Sequence, residues 1–185
     1  MKKVLFSFLF IGLAAGLYAQ SGAFEKGDKV VNAGIGIGST LYSGSGYSMS
    51  IPPVFISGEY GLLDDILDKG SIGVGGYLGF AKNKWEYFNY GWKYTNIIVG
   101  ARGSFHYPFI DKLDTYAGVM IGFNIVSSTS FGSSGSSFFT GAESSKPIFA
   151  LYAGGRYYFT DNLSVIAEIG YGIAYLTVGV GLRID

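Results

Sequence analysis

Five charged residues interrupt the apolar stretches of this chain: Glu59, Arg102, Arg156, Glu168 and Arg183. Each lies on the small or polar side of a run in which apolar residues alternate. An isolated ion in such surroundings is too costly, so two carboxylates and three guanidiniums on these positions are expected to pair with one another. The same set could instead form a gate or a narrow ion path. His106, the single histidine, shares its side with Ser104. Histidine, serine and an acid are the parts of an acyl-transfer site, but His106 is followed by Tyr107 and Pro108 at the end of its run, which suits a strand terminus. No catalytic residue is assigned. One histidine without any cysteine does not make a usual zinc site, and Asp64, Asp65 and Asp68 read as polar turn residues, so no metal or cofactor is expected. Trp85, Tyr87, Tyr90 and Trp92 crowd one short segment with Lys82, Lys84 and Lys93. Aromatic and basic groups together suit a glycan or protein ligand, and equally a belt at a membrane interface.

The elements that must position these groups are read from composition and period. The chain has 185 residues, enough for one domain. Charged residues make up 14%, well under the usual quarter, while aromatics reach 17% and there are 30 glycines. Basic and acidic residues balance at 13 each, which excludes the electrostatic footprint of a nucleic-acid binder. With no cysteine there is no disulfide. A water-exposed surface this poor in charge would aggregate.

Residues 1–19 (MKKVLFSFLFIGLAAGLYA) have the layout of a secretory signal peptide: Lys2 and Lys3, an apolar stretch from Val4 to Leu13, then small residues ending at Ala19. The mature domain is expected to span 20–185, with 11 basic and 13 acidic residues.

The last stretch, SVIAEIGYGIAYLTVGVGLRID (164–185), is apolar enough for a membrane helix. Four glycines and eight β-branched residues argue against one. Leu176, Val178, Val180, Leu182 and Ile184 alternate with Tyr175, Thr177, Gly179, Gly181 and Arg183, a period of two. The same alternation marks runs near 31–38, 54–60, 71–80, 96–106, 116–125 and 148–159. With the last pair these make eight strands of about ten residues, the length that crosses a bilayer when tilted. Connections at 62–70, 108–114 and 160–162 read as compact turns. Those at 41–53, 82–94 and 127–146 read as longer loops, and 172–174 as a tight turn. Short turns at one end and long loops at the other mark an outer-membrane barrel. Tyr94, Tyr171 and Tyr175 at the loop end, and Tyr60, Tyr107, Tyr157 and Phe159 at the turn end, are candidate interfacial girdles. A soluble barrel would need the Glu59, Arg102, Arg156, Glu168 and Arg183 side turned outward, and that side is too rich in glycine for a solvent surface.

Over residues 28–185 this pattern resembles the small eight-stranded outer-membrane barrels of the OmpA/OmpX type. The resemblance implies an all-β fold, an eight-stranded antiparallel up-and-down transmembrane β-barrel, in the outer membrane of a Gram-negative bacterium. It implies outer-membrane lipids, lipopolysaccharide and the assembly machinery as partners, with an extracellular protein or glycan as a further ligand. Such barrels end in an aromatic residue read by that machinery, whereas this chain ends Arg183-Ile184-Asp185. An eight-stranded barrel is just wide enough for side chains to fill it. The expected role is therefore structural or surface-interacting with a plugged interior. A narrow channel for ions or small solutes is the alternative, and a lipid A-modifying enzyme a third reading.

Overall fold

A computed structural model describes residues 24–87, 90–132 and 144–184; the signal-peptide reading of 1–19 lies outside them. The chain forms eight strands: β1 (Lys29–Ser39), β2 (Tyr47–Ile66), β3 (Gly70–Tyr87), β4 (Tyr90–Ile110), β5 (Leu113–Phe131), β6 (Lys146–Tyr158), β7 (Leu163–Tyr171) and β8 (Ala174–Ile184). Each pairs antiparallel with the next, and β1 closes on β8 from Lys29↔Ile184 to Ser39↔Ala174. Residues 164–171 and 174–184 are therefore strand, as their period of two requires, and the closed ring leaves no strand at the edge of a sheet.

Alternation sends one side of every strand outward. Ile35, Ile56, Leu78, Val99, Ile121, Leu151, Ile169 and Val180 are exposed and together form an apolar belt around the barrel. Glycine, serine and asparagine are concentrated on the inward side, together with Glu59, Arg102, Asp114, Arg156 and Glu168. Such a belt is far beyond the apolar patches water tolerates, so the surrounding medium is lipid. Tyr171 and Tyr175 at one rim, and Tyr60, Tyr157 and Phe159 at the other, are exposed as girdle residues are. Tyr94 is not among them. It shares the inward parity of Asn96, is buried, and stacks on Tyr42 at 5.2 Å.

The strands outrun several expected connections. The 62–70 segment is mostly strand: β2 continues to Ile66 through register shifts after Gly61 and Leu63, and the turn is left with Leu67, Asp68 and Lys69. β2 also begins at Tyr47, inside the expected 41–53 loop. Pro52 and Pro53 fit because β1 stops pairing with β2 at Ile35↔Val54, where a missing N–H does no harm. Within the 82–94 segment, β3 runs on to Tyr87 and β4 begins at Tyr90, with Lys84 opposite Lys93 and Trp85 opposite Trp92. The β4–β5 turn shrinks to Asp111 and Lys112, which places Asp114 inside β5. The β7–β8 turn is Gly172-Ile173, with Gly172 at φ 113°, a value that favours glycine at the first central position of a two-residue hairpin.

Candidate functional site

The inward charges meet in two clusters stacked along the barrel axis. In the first, Arg102 on β4 donates from Nη2 to Oε1 of Glu168 on β7 at 2.8 Å. The Tyr116 hydroxyl on β5 donates to the same oxygen at 2.9 Å. The Arg102 guanidinium lies 3.8 Å from the centre of the Tyr152 ring, and Tyr152 shares a 2.9 Å hydrogen bond with Ser104. Glycine makes this possible. A Cβ on Gly118 would come within 2.6 Å of Tyr152 Cζ, so only a hydrogen there lets the phenol cross the lumen.

The second cluster is nearer the short-turn end. Arg156 on β6 is fully buried. Its Nη2 donates to Glu59 Oε2, and its Nε lies 3.3 Å from Asp114 Oδ2. His106 sits between the same two carboxylates, with Nδ1 2.8 Å from Asp114 Oδ1 and Nε2 3.1 Å from Glu59 Oε1. Two cation-forming groups thus face two carboxylates. The Tyr116 ring links the clusters: Arg156 lies 4.9 Å from its centre and His106 5.2 Å.

Both ends of this column are covered. Phe24, which precedes β1, is buried at the short-turn mouth, stacked on His106 at 4.2 Å and 5.4 Å from Arg156. The backbone holds it there: Ser71 Oγ donates to the Phe24 carbonyl, and Gly27 N–H to Gly61 O at 2.9 Å. Above the Arg102–Glu168 pair lies a cavity of about 40 Å³ lined in part by Phe55, Tyr77 and Met120. An apolar layer of Leu41, Ala81, Ile98, Met120, Ala150 and Ile173 follows. Beyond it, Asn96 Oδ1 accepts from Asn124 Nδ2 at 3.0 Å and from the Tyr42 hydroxyl at 2.7 Å. Tyr42→Phe is expected to cost about 0.5–1.5 kcal/mol in urea unfolding, because Asn96 keeps its second donor and nothing buried is orphaned.

Of the five predicted lumen charges, Glu59, Arg102, Arg156 and Glu168 fall in these clusters. Arg183 does not pair with them. It lies at the rim, 3.4 Å from Asp28 and 4.5 Å from the centre of the Tyr158 ring, because β8 ends one residue later and its inward residue there meets the segment entering β1. Asp114 and Phe24 escaped the sequence reading: the first looked like a turn residue, and the second stands outside any periodic run. His106 has both nitrogens against carboxylates, while Ser104 bonds to Tyr152, so the two do not form a base–nucleophile pair.

The aromatic and basic groups of the β3–β4 hairpin do not form one mixed surface. Period two divides them. Trp85, Tyr87, Tyr90 and Trp92 continue the inward side above the lumen, with Trp85 and Tyr87 stacked at 6.4 Å. Lys82, Lys84 and Lys93 continue the outward side.

No protein-family model matches the chain, and no curated protein matches it. Solved structures do. Outer membrane protein OprG from Pseudomonas aeruginosa superposes with a TM-score of 0.51 at 10% identity, covering 90% of this chain and all of that one. The N-terminal β-barrel domain of Pseudomonas aeruginosa OprF gives 0.48 at 15% identity, over 87% of this chain and all of that one. Ail, the attachment invasion locus protein of Yersinia pestis, gives 0.48 at 14% identity, over 85% and 95%. At these identities the likeness is one of fold, and the fold is that of the small outer-membrane β-barrels.

Proposed function

We propose that this barrel sits in the outer membrane of a Gram-negative bacterium, reached by cleavage of residues 1–19, and that it is a non-conducting protein with a structural or surface-interacting role. The observation that carries the reading is the filled column. The Arg156–Glu59–Asp114–His106 cluster, the Arg102–Glu168–Tyr116 cluster and the apolar layer at Ile98 and Met120 follow one another along the axis, and Phe24 covers the short-turn mouth. A hydrated ion has no continuous polar path through the apolar layer. Catalysis finds no support in a histidine and a serine bonded to other partners. Contact with a protein or glycan falls to the loop end, where Trp85, Tyr87, Tyr90 and Trp92 present an aromatic face of the kind such ligands stack on.

The test is conductance of the purified full chain in planar bilayers. The expected result is a baseline without large, stable openings. Sustained single-channel steps from the wild-type barrel would overturn the plugged reading in favour of a narrow channel. Altered lipid A on expression would point instead to an enzyme.

A further inference from the structure

The outward side of β3, β4 and β5 changes chemistry abruptly at one level. Register aligns the outward rows. Phe80, Ile97 and Ile125 form the last apolar row; Lys82, Thr95 and Ser127 form the next; Lys84, Lys93 and Thr129 form the one after. Successive rows are two residues apart, about 6.7 Å along a strand, or about 5 Å along the membrane normal at the usual tilt. The lysine rows therefore lie about 5 and about 10 Å beyond the hydrocarbon edge, at head-group depth.

Among the described residues, three cations stand there with one carboxylate. Lys84 pairs with Glu86 at 2.7 Å, and Lys82 and Lys93 are exposed. This surplus occurs in a chain whose basic and acidic residues balance. Lys84 and Lys93 face each other directly across an antiparallel pair, a like-charge placement that destabilises a ladder, and the one Glu86 carboxylate beside Lys84 leaves the pair with a net positive charge. The ammonium groups are gathered over rings, Lys84 and Lys93 at 4.7 and 5.6 Å from Phe131 and Lys82 at 5.7 Å from Phe80. Rings hold cations in place but do not neutralise them. The adjoining hydroxyls of Thr95, Ser127 and Thr129 are donors suited to phosphate oxygens.

We propose that Lys82, Lys84 and Lys93, with Thr95, Ser127 and Thr129, form a binding site for the phosphate groups of anionic lipids in the leaflet at the loop end. This rests on the membrane placement proposed above and names the partner of its outer rim. The site is separate from the aromatic face of the same hairpin, which points the other way.

The full chain would be reconstituted in phosphatidylcholine nanodiscs containing diphosphorylated lipid A, and the retained lipid A counted by native mass spectrometry after release into detergent. The wild-type chain is expected to retain lipid A, and Lys93→Gln alone to weaken retention about five-fold. Lys82→Gln/Lys84→Gln/Lys93→Gln should abolish it. Lys69→Gln/Lys112→Gln, at the opposite end, should change nothing. The proposal fails if the triple variant, shown folded by its heat-modifiable gel mobility, retains as much as the wild type. It also fails if dephosphorylated lipid A is held equally, or if millimolar inorganic phosphate displaces the lipid, since the site would then take any free anion. Should the triple variant not fold, undiminished retention by Lys93→Gln overturns the proposal. A wild-type chain that does not enter nanodiscs as a barrel would instead sink the membrane placement itself.

Discussion

Arg156→Met is expected to cost about 3–5 kcal/mol of unfolding free energy, the usual loss when one partner of a buried ion pair is removed. Arg156 is fully buried and answers both Glu59 and Asp114. Its removal leaves two buried carboxylates with His106 alone between them. The cost comes from the orphaned charges rather than from the lost bonds. The triple variant Glu59→Gln/Asp114→Asn/Arg156→Met, in which nothing remains ionised opposite the methionine, should therefore recover most of the stability. Urea titration of the barrel in micelles, followed by heat-modifiable mobility, measures both. The experiment also bears on function. A water-filled lumen would hydrate the exposed carboxylates, and Arg156→Met would then lie within about 1 kcal/mol of wild type. That outcome would count against a plugged interior.

Ile121→Arg carries the second large effect, and its size depends on what surrounds the barrel. Ile121 is 64% exposed in the middle of the outward side of β5. In water a substitution at so exposed a site shifts stability by about 0.5 kcal/mol or less. At the midplane of a bilayer an arginine costs about 2–4 kcal/mol, falling to about 0–1 near the interface. Ile184→Arg, outward at the end of β8, is the matched control. Folding equilibria in lipid vesicles should show the first variant destabilised by about 1–4 kcal/mol more than the second. Equal effects at the two sites would remove the lipid belt from the account of this fold.

Much of the barrel was legible in residue order because alternation is local. The strand positions of Arg102, Arg156 and Glu168 follow from their parity with neighbouring glycines, serines and tyrosines, and so does the apolar belt opposite them. Even Ile166, apolar on the inward side, keeps its parity and is buried. Reading erred where local composition imitated a turn. Asp111, Lys112 and Asp114 look alike as polar punctuation, yet a two-residue hairpin uses only the first pair and sends Asp114 into the lumen. The same parity rule, applied through 82–94, would have separated the tryptophans from the lysines and put Tyr94 inside.

Residue order by itself determined the class of this protein: eight strands, one side for lipid and one for an interior that carries charge. It set which side each side chain takes, because successive residues of a strand point oppositely whatever the rest of the chain does. Only the closed sheet decided which charges meet. Glu59 and Arg156 are 97 positions apart, on strands that never pair, and their common height is fixed by the stagger accumulated over every intervening ladder. That stagger put Arg183 at the rim with Asp28 instead of in the column. It also brought Phe24, from outside any strand, over the mouth that His106 and Arg156 would otherwise leave open.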